Sequence, residues 1–206
     1  MPEADITLYG LNKALTGVNG VILRRGTHLD FFPLPYYPAA PFPSGLAWTD
    51  CDGDGEQELE VSLCIGTGTG AAAYQLYLFP WRHDRFHTPV ELSETDLAAQ
   101  VAEAVHSTYD PEAFTFSVQT AGRTWTLGLD ADAGWLADAP VGPLTASWRF
   151  SYDLEPLEVS IDLMPEGLPL YTPVCYRVPI LFDGTRITLD TQHGALTANP
   201  GAVLRP

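Results

Sequence analysis

Between Thr49 and Val61 the chain reads Thr-Asp-Cys-Asp-Gly-Asp-Gly-Glu-Gln-Glu-Leu-Glu-Val. Asp50, Asp52 and Asp54 alternate, and Glu58 follows after Gly55. Alternate carboxylates in a tight loop converge on one point, and hard oxygen donors arranged in this way suit Ca²⁺. Gly55 permits the sharp reversal that turns the Glu56 carbonyl back toward the same point. The expected ligand set is therefore Asp50, Asp52, Asp54, the backbone carbonyl of Glu56, and Glu58, with Ca²⁺ as the cofactor. Four carboxylates this close repel one another without a cation, which favours a metal loop over a solvated acidic turn. An EF-hand would need a bidentate Glu at its twelfth position and a helix leaving the loop. Counted from Asp50 that position is Val61, and Leu59, Val61, Leu63 and Ile65 alternate as in a strand. The pattern predicts a calcium loop over 50–58 feeding a β-strand, with an ion that chiefly stabilises the fold by binding only its folded form.

The run Asp52-Gly53-Asp54-Gly55, with Asp50 before it and Glu58-Leu59-Glu60-Val61 after it, resembles the calcium loop of FG-GAP/VCBS repeats, found in integrin-type β-propellers. A longer likeness takes in Ile6-Thr7-Leu8-Tyr9-Gly10-Leu11-Asn12, the acidic loop, Gly66-Thr67-Gly68-Thr69-Gly70 and Gln75-Leu76-Tyr77. Together these resemble a group of exported Firmicutes proteins, clearly over the first half of the chain and over the second half only in its run of strands. The resemblance implies a calcium site and a location outside the cell or on its surface. It implies no reaction.

Other stretches carry weaker chemistry. Gly66-Thr67-Gly68-Thr69-Gly70 lacks the lysine and the following helix of a phosphate-binding loop, and reads as a tight connection between strands 58–65 and 73–79. His83 and His87 have the spacing of a zinc helix, but Pro80 and Pro89 close the window, so they are expected as exposed loop histidines. No G-x-S-x-G elbow occurs, and no pair of acidic residues stands out as a glycosidase dyad. Cys51, Cys64 and Cys175 give an odd count without zinc spacing or a disulfide framework. The proline-broken aromatic stretch from Phe31 to Phe42 is expected to run extended over the end of a sheet, with sugar stacking or partner binding as its functional alternative.

Those residues have to be positioned by β structure. Apart from one helix expected near 94–107, capped by Ser93 with an apolar stripe of Leu97, Val101 and Val105, the chain is a series of short strands and turns. Hairpins are expected about Gly26-Thr27, Ala121-Gly122 and Asp183-Gly184, and between strands 146–153 and 157–163. Only one metal loop is present, with Asp130-Ala131-Asp132-Ala133-Gly134 a degenerate echo, so repeated propeller blades are not expected. The fold class predicted is mainly β: antiparallel sheets, sandwich or partial barrel, in a single β-rich domain over 1–206. Strands 58–65 and 73–79 are expected to be antiparallel neighbours. Leu59, Val61, Leu63 and Ile65 should face the core, Glu58 the metal, and Glu60 the solvent.

Composition limits the partners. With 26 acidic against 10 basic residues the formal net charge is -16, so nucleic acid is excluded as a partner and divalent cations are attracted. No apolar run is long enough to span a membrane. Met1 to Asp5 lacks the pattern of a secretory leader, which fits a mature exported region and leaves the cytoplasm as the alternative location. The function expected is that of a non-enzymatic exported or cell-surface calcium-binding protein with a protein or glycan ligand. A calcium-stabilised hydrolase of glycan or peptidoglycan and an intracellular interaction protein are the alternatives. On this charge balance the protein is expected to pass through heparin and DNA resins at about 150 mM salt, and retention there would contradict the exclusion of nucleic acid.

Overall fold

The structure is a computed structural model that describes residues 4–38, 43–68, 71–129, 141–168 and 171–206. It is mainly β, with antiparallel sheets. The reading of one domain over 1–206 meets a chain that gathers into two compact units. The first comprises Met1–Ser93 and Leu181–Ile187; the second comprises Glu94–Ile180 and Thr188–Pro206.

In the first unit, β1 (Ile6–Leu11), β2 (Gly20–Arg25) and β3 (His28–Phe32) form one antiparallel sheet. The short helix α1 (Lys13–Thr16), not anticipated from the sequence, fills the β1–β2 connection. Asn12 caps it by accepting the Ala14 amide at 2.8 Å, and Gly17 ends it at φ 77°. A second sheet holds β4 (Gly45–Thr49), β5 (Glu58–Gly68), β6 (Ala71–Arg82) and β7 (Arg85–Phe86), with β8 (Val90–Leu92) also paired to β6. Ile6, Val21 and Leu23 of the first sheet and Leu59, Val61, Leu63, Tyr77, Phe79 and Phe86 of the second make one buried cluster. Two sheets sharing one apolar layer is the sandwich arrangement, and fully burying each large side chain stabilises by about 1.5–3 kcal/mol.

Strand β5 departs from its reading in two ways. The pair β5–β6 is antiparallel as expected, from Glu58↔Pro80 to Gly68↔Ala71. Gly66, Thr67 and Gly68 belong to the ladder and not to a loop, after a register irregularity between Cys64 and Gly66. Thr69 and Gly70 lie outside the described residues. Glu60, expected near solvent, is buried. Its cross-strand neighbours Leu78 and Ala47 are buried as well, as is Leu76 opposite Ser62. The sheet is therefore covered on both faces at this point. Ile65 is half-buried.

The aromatic stretch covers the sandwich. Phe32 meets Phe79 edge-on with ring centroids 4.8 Å apart, and Leu34 and Tyr36 pack on the buried cluster. The Tyr37 amide donates to the Cys64 carbonyl at 3.0 Å, while Phe31 and Tyr37 stay exposed. Residues 39–42 of the stretch are outside the described residues. Gly10 makes room for this cover, because a Cβ there would lie 1.9 Å from the Tyr36 ring.

The second unit contains α2 (Glu94–Ala104) and the sheet of β9 (His106–Asp110), β10 (Thr115–Thr120), β11 (Arg123–Leu129) and β17 (Ala202–Arg205). A further sheet runs β12 (Leu144–Leu154), β13 (Leu157–Pro165), β14 (Val174–Phe182) and β15 (Ile187–Leu189), with β16 (Ala195–Ala198) on β14. The expected hairpins form in antiparallel register for β10–β11 and β12–β13. The helix stops before 107, since His106 to Asp110 pair with β10, although its Leu97, Val101 and Val105 stripe is buried as read. Thr120 of β10 donates its hydroxyl to Tyr176 of β14 at 3.4 Å. The echo at 130–134 lies outside the described residues.

Gly10→Ala is expected to destabilise the protein by about 1–3 kcal/mol through overpacking against Tyr36. The cost should shrink when the same change is made in a Tyr36→Ala background. Urea denaturation of the four variants of this cycle measures the coupling.

Candidate metal centre

The acidic loop is the connection of a hairpin. Thr49 of β4 pairs with Glu58 of β5, so residues 50–57 bridge two adjacent, antiparallel strand ends. The loop folds by wrapping its own amides around its own carboxylates. Asp50 accepts the Gly53 amide on Oδ1 at 2.8 Å and the Gly55 amide on Oδ2 at 3.0 Å. Asp52 Oδ1 accepts from Asp54 N at 3.1 Å, and Asp54 Oδ1 from Glu56 N at 2.7 Å. Glu58 Oε2 closes the loop from the strand side by accepting the Cys51 amide at 2.9 Å. The two reversals fall on Gly53 (φ 76°) and Gly55 (φ 91°), backbone conformations that other residues adopt only at a cost.

Of the five ligands read from the sequence, Asp50, Asp52 and Glu58 are brought together, with one carboxylate oxygen of each lying within 4.8 Å of the others. Ca²⁺ binds oxygen at 2.3–2.6 Å, so two oxygens on one ion stand at most about 5 Å apart. The donor set fits: three hard carboxylate oxygens at single-ion spacing. Asp54 is not part of this cluster. Its Oδ2 stands 3.8 Å from Arg82 Nη2, and the Glu56 side chain meets Arg82 Nε at 3.3 Å. Glu56 was expected to contribute through its carbonyl, which leaves its side chain available to Arg82.

Electrostatics single out Glu58. Asp50 is exposed and Asp52 half-buried, but Glu58 is 1% exposed. Burial pushes its carboxyl above the usual carboxylate range. The Cys51 amide opposes that, and the charges of Asp52, Asp54 and Asp50 push it further up. The thiol of Cys51 donates to Glu60 Oε1 at 3.3 Å, and burial followed by the Glu60 charge raises it far above an ordinary thiol. The three converging carboxylates present hard oxygen donors, the type that suits Ca²⁺.

Two neighbours of the loop were not found from the sequence. Arg82 arrives because the β5–β6 register sets Glu58 opposite Pro80, two residues before it. The other is the turn after β14. Asp183 Oδ1 accepts the Thr185 amide and hydroxyl at 2.9 and 2.8 Å and the Arg186 amide at 2.8 Å, which together hold its carboxyl below the usual range. The turn has four residues, with Asp183 N donating to the Arg186 carbonyl at 3.3 Å. It presents Gly184 to Asp52, where a Cβ would lie 2.8 Å from Oδ2. Asp183-Gly184 signalled a turn in the sequence, but nothing signalled its destination.

The histidines behave as loop residues. Arg82↔Arg85 pairing leaves His83 and Asp84 as a two-residue hairpin turn at φ 54° and 58°. His87 is exposed, with its ring nitrogen Nε2 3.1 Å from the Arg82 carbonyl.

Gly184→Ala is expected to cost about 1–3 kcal/mol, from its left-handed backbone (φ 84°) and from contact with Asp52. Calcium titration of the variant should show weaker binding, because the contact displaces one of the clustered carboxylates. No protein-family model matches this chain, and comparisons with curated proteins and with solved structures find no match.

Proposed function

We propose that this chain is a non-enzymatic calcium-binding β protein of the cell exterior, in which the ion chiefly fixes the β4–β5 hairpin. The observation that carries the reading is the convergence of Asp50, Asp52 and Glu58, with Glu58 buried. An ionised carboxylate inside a fold costs several kcal/mol unless an opposite charge or hydrogen bonds repay it. Here a single amide hydrogen bond from Cys51 faces the repulsion of the loop's aspartates. A divalent cation between the three carboxylates supplies the missing charge, and it binds the folded chain alone because Glu58 reaches the loop only through the strand pairing. The Glu56 carbonyl completes the proposed set, and Asp54, whose carboxylate lies beside Arg82 outside the cluster, would join it only by leaving that arginine. The location outside the cell rests on the resemblance to exported proteins and on the acidic surface, which millimolar extracellular calcium suits.

The test compares thermal unfolding in calcium and in chelator. At a calcium concentration about a hundred times Kd the fold should gain about 2.7 kcal/mol, a melting shift of roughly 5–10 °C for a chain of this size. Asp52→Ala should abolish the shift. Glu58→Gln should reverse sign with conditions: neutral or stabilising in chelator, where it removes a buried charge, and destabilising in calcium, where it removes a ligand. An identical wild-type melting temperature in the two buffers would sink the proposal.

A further inference from the structure

A cleft of about 350 Å³ lies beside the acidic loop, within the first unit, lined by Arg25, Trp48, Trp81, Arg82 and His83 among others. One of its walls is a guanidinium stacked on two indoles. The Cζ of Arg25 stands 4.4 Å from the ring centroid of Trp48 and 4.4 Å from that of Trp81. The two rings are 6.3 Å apart and inclined at 76°, so Arg25 sits in the angle between them. Such stacking fixes the direction of the guanidinium fork without using its N–H donors.

What this arginine lacks is a carboxylate. Arg24, Arg82, Arg85 and Arg177 each pair with one or two acids. Among the described residues none pairs with Arg25, in a chain carrying 26 acidic side chains. Acids are at hand in the same cleft, because Glu56 and Asp84 also line it, yet Glu56 is engaged by Arg82. The cleft therefore presents an oriented fork of unused donors with indole surface beside it. Gln57 lines it too, and the carboxylates of Glu56 and Asp84 are acceptors for ligand hydroxyl groups.

We propose that this cleft binds a carboxylated sugar, a uronate, independently of the cation at Asp50. The guanidinium of Arg25 takes the ligand carboxylate in a two-point hydrogen bond, the geometry for which arginine is suited. The ring lies along the parts of the half-buried Trp48 and Trp81 indoles that Arg25 leaves uncovered, apolar surface suited to the C–H groups of a pyranose. Hydroxyl groups donate to Glu56 and Asp84. These two acids also select against a bare anion such as phosphate, which would meet their charge and offer no hydroxyl to offset it. The volume stands at the lower end of the range for small-molecule sites and accommodates one or two rings.

The full chain titrated with D-glucuronate and with D-galacturonate, followed by tryptophan fluorescence and calorimetry in both calcium and chelator, tests this. Saturable binding of a uronate in both buffers is expected, with glucose, galactose and acetate at least about tenfold weaker. Arg25→Gln should weaken uronate binding about tenfold or more at an unchanged melting temperature, and Arg25→Lys by less, since it keeps the charge but not the fork. If Arg25→Gln melts early, the wild-type comparison of uronate with neutral sugar and acetate decides by itself. Equal binding of the neutral sugars, equal binding of acetate, preference for a peptide C-terminal carboxylate, or no saturable signal for either uronate would each overturn the proposal. A calcium-dependent melting shift without uronate binding would overturn this site and leave the metal loop standing.

Discussion

The placement of acidic side chains on β5 is the constraint around which the first unit is built. Glu58 and Glu60 point to one side of a strand whose other side, Leu59, Val61 and Leu63, fills the core between two sheets. Both glutamates are buried, so the carboxylates cannot rely on water. The chain answers with groups from the loop itself: the Cys51 amide for Glu58 and the Cys51 thiol for Glu60. Cys51 thus serves two acids at once, one through its backbone and one through its side chain. That arrangement fixes where the loop begins, and the amides of Gly53, Gly55 and Glu56 then fix how it curls around the aspartates. The glycines are needed because the curl demands left-handed backbone at two positions.

Much of the fold and part of the site were legible in the sequence. Alternation in Leu59, Val61, Leu63 and the Gly- and Asp-bearing turns reported antiparallel hairpins, because side-chain period and turn chemistry are local properties. The convergence of Asp50, Asp52 and Glu58 was legible for the same reason: their spacing brings their carboxylates together. The burial of Glu60 was not read, although a signal existed. Leu76-Tyr77-Leu78-Phe79 in the partner strand is apolar at both parities, the mark of a sheet covered on both faces, and Glu60 stands opposite Leu78. The extension of β5 through Gly66 and Gly68 was masked by glycine's reputation as a loop former. The carboxylate of Asp54 turned to Arg82 and Gly184 came to Asp52 through tertiary register alone. Pairings of that kind depend on which strands meet, and no local pattern encodes them.

The aromatic side chains divide between packing and display. Phe32, Phe79 and Phe86 are joined edge to face within the sandwich, and Trp48 and Trp81 extend that cluster toward the surface, where Arg25 meets them. Rigid neighbours on the inner side hold the indoles in position, so a guanidinium resting on them is oriented by the core and not by the mobility of its own side chain.

The turn at Asp183 gives the first unit an unusual history. Leu181–Ile187 belongs to this unit, although the whole of Glu94–Ile180 before it belongs to the other. A ribosome that has delivered Asp52 must add about 130 further residues before Gly184 exists to stand beside it. At elongation rates of about 5–20 residues per second, the acidic loop is made roughly 7–26 seconds before Gly184. The first unit is thus contiguous in space and discontinuous in time. An N-terminal fragment ending at Ser93 contains every carboxylate of the loop but not the wall against which Asp52 rests, and it corresponds to a nascent state of the chain and not to a domain that evolution could transplant by simple truncation.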